Sequence, residues 1–167
     1  SDLKYPEVVL SDLKISNKSV LVDEEVNGDV VLEKDISYTK EITLNYDKQF
    51  TLEFTGLHFS NPENILYAYK LDGFNDNWTY TNSKNRSATY TNLDPGTYSF
   101  VVKASNFSGK WSNNSQKLII TILSPPWKSW WAILIYFTLF IFSGSLNAVV
   151  IPPQEGVYTS KIDGENY

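Results

Sequence analysis

The sequence predicts an all-β fold in which two antiparallel sheets pack face to face. Between residues 8 and 124, apolar and polar residues alternate over short segments, as they do in strands that bury one face. Turn-forming residues separate these segments at intervals of about ten residues, and no stretch keeps a helical period for long. Roughly eight strands at this spacing are typical of an immunoglobulin-like or fibronectin III-like antiparallel β-sandwich.

The expected strands follow one another along the chain, each bounded by turn residues. They are predicted at 8–15, 19–22, 41–44, 50–54, 66–71, 88–91, 98–104 and 118–122. Residues 27–29, with the sequence Asn-Gly-Asp, predict a hairpin turn because Asn and Gly accept a positive φ. Residues 72–77 are rich in Asp, Asn and Gly, and we expect them to form a turn ahead of Trp78.

The segment Asp94-Pro95-Gly96 predicts a tight corner before the long strand at 98–104. Pro95 and Gly96 suit the second and third positions of a type II turn. A tyrosine just after such a corner can bond its hydroxyl back to the backbone, as in the tyrosine corner of Greek-key sandwiches. We therefore expect Tyr98 to lock this corner and to have no part in catalysis.

Aromatic residues make up 15% of the chain and allow two interpretations. An exposed row of rings would form a platform on which sugars stack, whereas buried rings would pack the core. Alternation places Tyr67, Tyr69 and Tyr98 on inward faces, so we expect these three in the core. Trp78 and Trp111 lie near predicted loops, and both interpretations stay open for them.

Composition argues against most enzymes and against nucleic-acid binding. The net charge is −5, whereas polyphosphate binding needs a clustered positive field. No Cys and one His exclude thiolate zinc sites and multi-His metal sites and leave few ways to build a Ser-His-Asp triad. We interpret His58 as a loop or sheet residue, and Asp72 with Asp76 as turn residues instead of a calcium loop. No catalytic residue, metal or cofactor is predicted.

The C-terminal part of the chain differs in character from the predicted sandwich. It follows the breaker Ser124-Pro125-Pro126 and carries no charge over 129–151, which is long enough to cross a bilayer as a helix. Trp127, Trp130 and Trp131 stand where an interfacial aromatic belt would lie. We therefore predict a transmembrane segment over 125–151. The alternative is a buried core strand or a hydrophobic end of the chain.

Both ends of the chain are expected to lie outside these units. Residues 1–7 are interpreted as a linker from an upstream region. Residues 152–167 are acidic, whereas the cytoplasmic flank of a membrane helix should be rich in Lys and Arg. We interpret them as a tail that is not the natural continuation of the membrane segment.

A long run of motifs stands in a fixed order through the second half of the sequence. It comprises Tyr67-Ala68-Tyr69-Lys70-Leu71-Asp72-Gly73, Trp78, Ala88-Thr89-Tyr90-Thr91-Asn92-Leu93, Pro95-Gly96-Thr97-Tyr98-Ser99-Phe100, Val102-Lys103-Ala104-Ser105-Asn106, Gly109 and Trp111. In this order the motifs resemble the three-tyrosine, or Y_Y_Y, domain in the membrane-proximal periplasmic part of bacterial hybrid two-component system sensors. The resemblance extends over about residues 8 to 142 and includes the exit through Pro125-Pro126-Trp127.

The resemblance implies a role by position. In such sensors an upstream periplasmic β-propeller region binds an oligosaccharide from polysaccharide breakdown. The Y_Y_Y domain follows it next to the membrane and couples ligand-driven rearrangement of a dimer to a cytoplasmic histidine kinase. This chain would then be a non-enzymatic, homodimeric relay module at the periplasmic face of the inner membrane, held by a single-pass anchor. The sugar would bind upstream of it.

Structural or relay roles are expected for Tyr67, Tyr69, Trp78, Tyr90, Pro95, Gly96, Tyr98 and Trp111. The corner and the aromatic core would supply the stiffness that transmits a displacement. An alternative function is a carbohydrate-binding sandwich of a cell-surface protein, in which Trp78 and Trp111 would carry the sugar.

Overall fold

Eleven strands are present among the residues that the structure, a computed structural model, describes: 7–26, 28–57, 65–106 and 109–148. Their bounds are β1 Glu7–Ile15, β2 Lys18–Ser19, β3 Glu25–Val26, β4 Asp29–Val30, β5 Glu41–Asn45, β6 Phe50–Leu57, β7 Leu66–Asp72, β8 Asn75–Asn82, β9 Ser87–Tyr90, β10 Gly96–Ala104 and β11 Gln116–Leu123. The strands that sequence did not predict are β3, β4 and β8.

Two sheets form the sandwich. One holds the order β2-β1-β6-β9 and the other β5-β11-β10-β7-β8, while β3 and β4 form a separate hairpin. Neighbouring described strands are antiparallel except β5 and β11, where Ile42 lies opposite Ile120 in a parallel register. The predicted antiparallel β-sandwich is therefore confirmed with one exception, the parallel pair of β5 and β11. The connection over 31–40, with its 3-10 turn at Ile36–Tyr38, crosses to the second sheet and delivers β5 in this direction.

Side chains alternate between core and solvent along the long strands. In β6, Phe50 and Phe54 are buried, and in β10 every second residue from Tyr98 to Ala104 is buried. Phe54 lies at the centre of the core, with its ring centroid 5.4 Å from that of Tyr67 and 6.3 Å from that of Phe100. This interleaving of rings from both sheets holds the two layers together.

The turn between β7 and β8 is tighter than the sequence predicts. Gly73 has a φ of 92°, and β8 begins at Asn75. Because Gly adopts this backbone conformation without a steric penalty, two residues suffice for the reversal. The predicted turn over 72–77 is therefore wrong for its second half, and Trp78 lies inside a strand.

The second predicted strand, at 19–22, is largely absent. Pairing in β2 is limited to Lys18 and Ser19, and Leu21 and Val22 are exposed. The backbone bends at Asp23, which has a φ of 61°. Without a neighbouring strand, the apolar pair in this segment does not reach the core.

The chain enters and leaves the sandwich at opposite ends. β1 starts at Glu7, opposite Leu57 of β6, and ends at Ile15, opposite Phe50. Leu123, the last residue of β11, lines the same cleft as Ile15 and so lies at the far end of β1. We call the Glu7 end the entry pole and the Ile15 end the exit pole. The nine residues of β1 separate the poles by about 30 Å.

A second unit, Pro126–Tyr167, is separate from the sandwich unit. It begins with a 3-10 turn at Pro126–Lys128, and the helix α1 runs over Trp130–Ala148. Trp127, Trp130 and Trp131 are each at least half exposed. Across the described parts of the chain, no helix combines the length and the apolar character that crossing a membrane requires.

Some sequence-based predictions fall outside the described residues. These are the linker 1–7 except Glu7, the loop or sheet assignment of His58, and the tail 152–167.

Candidate functional site

At the exit pole, the Tyr98 hydroxyl donates a hydrogen bond to the carbonyl oxygen of Asp94 at 2.8 Å. Tyr98 is buried, and its ring lies against Gly73, where an added Cβ would come within 3.3 Å of the ring. The corner joins β9 of one sheet to β10 of the other. The bond therefore ties the crossing between the sheets, as in a tyrosine corner.

The type II turn predicted at this corner is wrong. Such a turn needs a positive φ at its third position, and Gly96 is not among the described residues with a positive φ. Asn92 carries the left-handed conformation instead, with a φ of 54°. Asn tolerates this region better than most residues, so the chain reverses earlier. Gly96 then becomes the first residue of β10, and Pro95 precedes it at the surface.

At the entry pole, Tyr67 makes the corresponding link between the sheets. Its side chain is 1% exposed, and its hydroxyl accepts a hydrogen bond from the Gly56 backbone N–H at 3.1 Å. Tyr67 belongs to β7 and Gly56 to β6, which lie in different sheets. The Tyr67 hydroxyl thus connects the two sheets directly, whereas the Tyr98 hydroxyl braces the connection between them.

Tyr69 and Tyr90 lie between these two ties and are half-buried. Both rings contact Phe100, with centroid distances of 6.0 Å for Tyr69 and 6.3 Å for Tyr90. Burial raises the pKa of the Tyr69 hydroxyl. Burial, and secondarily the negative charge that Tyr69 would carry, raises the pKa of Tyr90. Both hydroxyls therefore stay neutral at physiological pH, and the rings serve as packing groups.

A cluster of aromatic and basic side chains covers the outer face of the five-stranded sheet. It consists of Trp78 and Tyr80 on β8, Lys70 on β7, Lys103 on β10, and Trp111, and we call it the tryptophan–lysine patch. The Lys103 ammonium lies 4.1 Å from the Trp78 ring centroid and 5.3 Å from that of Trp111. The Lys70 ammonium lies 5.2 Å from the Trp78 centroid. These are cation–π distances.

The patch holds its aromatic rings in fixed contacts. Tyr80 meets Trp111 edge-on, with 5.6 Å between the ring centroids, and the Lys103 ammonium lies between Trp78 and Trp111. A sugar that stacks on an indole needs an uncovered ring face, and these contacts occupy part of that surface. The arrangement therefore favours packing over sugar stacking for Trp78.

Sequence reasoning identified both tryptophans but missed the two lysines. The missing signal was the alternation of β7 and β10, which points Lys70 and Lys103 outward on adjacent strands. The register that brings them to Trp78 depends on the tight turn at Gly73, which the sequence analysis did not anticipate. The sequence alone predicts a longer turn, which would place Trp78 near a loop instead of inside β8.

The outer face of the four-stranded sheet is polar by comparison. Lys14 forms an ion pair with Glu53 and lies 3.9 Å from Asp12, and Ser19 donates a hydrogen bond to Asp12 at 2.6 Å. Hydrogen bonding to Glu53 is the largest cause of a raised Lys14 pKa. This face is a surface of half-buried charged pairs.

The described residues contain no cluster of three His, Asp or Glu side chains that could hold a metal ion. Asp72 was one of the two carboxylates considered for a calcium loop. Its carboxylate lies 2.6 Å from the Lys70 ammonium. It therefore neutralises a lysine of the patch.

Comparison with known proteins agrees with this architecture. Residues 58–123 match the family model described as the Y_Y_Y domain. The chain contains a Y_Y_Y domain. The resemblance stated from the sequence is confirmed.

Relatives of the Y_Y_Y domain are parts of sensor proteins. The chain is 38% identical to Histidine kinase P4 of Formosa agariphila over 133 residues, which is 78% of this chain and 9% of that kinase. It also resembles the extracellular domains of BT4673 and BT3049 from B. thetaiotaomicron, two proteins assigned as hybrid two component systems. These are 32% and 31% identical, with TM-scores of 0.61 and 0.58, and each match covers 74% of this chain and 16% of the other.

The chain therefore spans only a small part of the length of these relatives. The matched part of the Y_Y_Y domain holds every predicted relay residue, from Tyr67 to Trp111, while β1 to β6 precede it. The Y_Y_Y domain is non-catalytic, and the kinase of its relatives is a separate region.

Proposed function

We propose that this chain is the membrane-proximal signal-relay and dimerisation module of a carbohydrate-sensing hybrid two-component histidine kinase. Its place is the periplasmic face of the inner membrane. An upstream β-propeller region binds the oligosaccharide, and a downstream kinase receives the signal. The Y_Y_Y domain itself binds neither a cofactor nor nucleic acid. The proposal does not depend on the single-pass span predicted over 125–151.

The observation that carries the proposal is the position of the two poles. The chain enters at Glu7 and leaves after Leu123 at the opposite end of the sandwich. A force applied at the entry pole must therefore cross the whole domain to reach the exit pole. A module that only bound a ligand on one loop surface would not need its entry and exit at opposite ends.

The core supports the same role because it resists deformation. Rings of both sheets interdigitate around Phe54, Tyr67 bonds the two sheets at the entry pole, and Tyr98 braces the connection between them at the exit pole. Packed interiors transmit strain instead of absorbing it. The relatives support the setting, because the matching regions of BT4673 and BT3049 belong to extracellular domains.

The test measures molar mass and thermal stability of the full chain in detergent, with and without a panel of plant and host oligosaccharides. The relay predicts a dimer whose mass and melting temperature ignore every sugar, because recognition lies upstream. A sugar bound here at a hundred times its Kd would stabilise the fold by about 2.7 kcal/mol and raise the melting temperature by about 8 to 16 °C. A monomer that one sugar stabilises in this way would overturn the proposal.

A second candidate is a carbohydrate-binding module, which the exposed aromatic side chains of the patch favour. Tyr80 is 65% exposed and adjoins Trp111. In that case Trp78→Ala and Trp111→Ala would each abolish glycan binding measured by calorimetry. Tyr38→Ala, at an exposed tyrosine remote in sequence from the patch, is the matched control and would leave binding unchanged.

A further inference from the structure

We propose that the entry pole docks an acidic face of the upstream region of the sensor, a protein surface that carries Asp and Glu side chains. The inference rests on the proposed function, which places a sensing region ahead of this chain but does not say which surface receives it. It follows from the unpaired cations of the entry pole, the acidic character of the exit pole, and the exposed apolar side chains beside the cations.

Four basic side chains lie at the entry pole. β8 and β10 both end there, because their last residues pair with the start of β7, which holds Tyr67. Lys103 is the last residue but one of β10, and Lys110 lies in the loop that follows this strand. Lys84 and Arg86 lie in the connection from β8 to β9, and Arg86 donates a hydrogen bond to the Thr55 hydroxyl of β6 at 3.0 Å.

None of these four cations is neutralised by a carboxylate within the described part of the chain. The described ion pairs belong to other lysines, which are Lys14, Lys18, Lys48 and Lys70. Half-buried Lys103 is held against the rings of two tryptophans instead. Glu7, which is exposed, is the carboxylate that the described residues place at this pole. The entry pole therefore presents an excess of positive charge.

The exit pole is acidic by contrast. Asp94 lies at the corner, and Asp29 lines the cleft at this pole. Lys18, which follows the end of β1, is already paired with Glu24. The net charge of the whole chain is −5, so the positive charge of the entry pole is a local feature. An acidic partner is therefore attracted to the entry pole and repelled by the exit pole.

Exposed apolar side chains beside these cations favour a protein partner. Leu57 ends β6 and Leu66 begins β7, and both are exposed at the entry pole. Tyr80, two residues before the end of β8, is also exposed. Protein interfaces combine an apolar centre with a polar and charged rim. A polyanionic saccharide would meet the cations but would gain little from the two leucines.

The connection of the chain at this pole makes a weak surface sufficient. In the proposed sensor, the upstream region is tethered through Glu7, so its contact with the entry pole is intramolecular and occurs at a high effective concentration. Exposed ion pairs that contribute little individually can then hold the two parts together. A second contact beside the covalent one also fixes their relative orientation. A rotation of the upstream region is then passed to the sandwich and is not lost at a single-strand pivot.

The binding of a fluorescein-labelled peptide of eight glutamates, measured by anisotropy, tests the charge of this surface. The full chain is titrated in a non-ionic detergent at about 0.1 M salt, where charges more than about 10 Å apart are largely screened. Because the chain is net negative, the peptide binds only where it meets a local positive field. We expect binding, and we expect it to tighten at about 0.01 M salt, where the screening length rises to about 30 Å.

Reversing two of the cations should weaken this binding. The double variant Lys84→Glu with Lys110→Glu should raise the Kd for the peptide by about fivefold or more, because two attractive charges become repulsive. Both residues use their backbone N–H groups, and not their ammonium groups, in the described hydrogen bonds. The fold should therefore persist, and circular dichroism verifies this.

The matched control is the double variant Lys34→Glu with Lys40→Glu. Both lysines are exposed and line the cavity beside β5 together with Thr121, which pairs with Thr97 near the exit-pole end of β10. Neither forms an ion pair among the described residues. The control changes the net charge by the same amount and should alter the Kd by less than about twofold. Equal weakening in the two double variants would show that binding follows net charge alone and would overturn the docking surface.

The remaining outcomes separate the docking surface from the relay. A chain that binds no glutamate peptide at either salt concentration, but is a dimer whose melting temperature ignores every sugar, would overturn the docking surface and leave the relay standing. An oligogalacturonate of eight residues carries the same number of carboxylates, and we expect it to bind more weakly than the peptide. If it binds as tightly or more tightly and raises the melting temperature, the entry pole is a saccharide site, and both the docking surface and the proposed function are overturned.

Discussion

Replacing Tyr98 by Phe isolates the hydroxyl bond that ties the exit-pole corner. The substitution keeps the buried ring, so no cavity forms, and removes only the 2.8 Å bond to the Asp94 carbonyl. Asp94 is exposed, so water can hydrogen-bond to that carbonyl in the variant. The loss is then the net value of one hydrogen bond, about 1 kcal/mol. For a sandwich of this size, that lowers the melting temperature by about 3 to 6 °C.

The assay is urea unfolding of the full chain, followed by far-ultraviolet circular dichroism. An unchanged m-value is the condition for comparing midpoints as stabilities. Tyr80→Phe is the matched control because its ring is 65% exposed, and we expect it to change the free energy of unfolding by less than about 0.5 kcal/mol. Equal midpoints for Tyr98→Phe and Tyr80→Phe would refute the claim that the corner hydroxyl stabilises the fold.

Three further perturbations test the core and the poles. Gly73→Ala should cost about 1 to 3 kcal/mol in urea unfolding, because its φ is 92° and the new Cβ would meet Tyr98 at 3.3 Å. Gly109→Ala, with a φ of 75° and open space, should cost less. Phe54→Ala should cost about 3 to 5 kcal/mol, and a loss below that of the exposed control Phe74→Ala would contradict its central place. Burial raises the pKa of Tyr90 above its ordinary value of 10.0. The neutral Tyr90 side chain therefore makes its full contribution to the free energy of unfolding below pH 10, and this contribution is lost as the pH rises toward the folded pKa. In Tyr90→Phe, the free energy of unfolding should fall less steeply above pH 10. An unchanged pH dependence would contradict the role of Tyr90 in this decline.

Much of the fold follows from alternation in single strands. In β6 and β10 the period of two correctly assigns Phe50, Phe54 and Phe100 to the core, because both strands lie inside their sheets and each has a neighbour on either side. Tyr67 and Tyr98 are buried for the same reason. The sequence signal is strong wherever one face of a strand is covered by the opposite sheet.

The remaining features depend on contacts between distant segments. Val20, Leu21 and Val22 form a short apolar run typical of a strand, but no neighbouring strand covers Leu21 and Val22, so these two stay exposed. The first three residues of the edge strand β8 are Asn75, Asp76 and Asn77, and their polar character predicts a turn before Trp78 instead of a strand. The tryptophan–lysine patch could not be predicted, because it depends on the registers of β7 against β8 and β10.

The two tyrosine hydroxyls explain why the sandwich can move as one body. Tyr67 connects β7 to Gly56 of the other sheet, and Tyr98 fixes the crossing from β9 to β10 at Asp94. Ala104, the β10 partner of Tyr67, lies six residues beyond Tyr98, which places the two ties about 20 Å apart along the sandwich. Sliding of one sheet over the other would have to break the Tyr67–Gly56 bond between the sheets and disturb the ring contacts of Phe54. In the proposed relay, a displacement at Glu7 would therefore reach Leu123 as a movement of the whole sandwich.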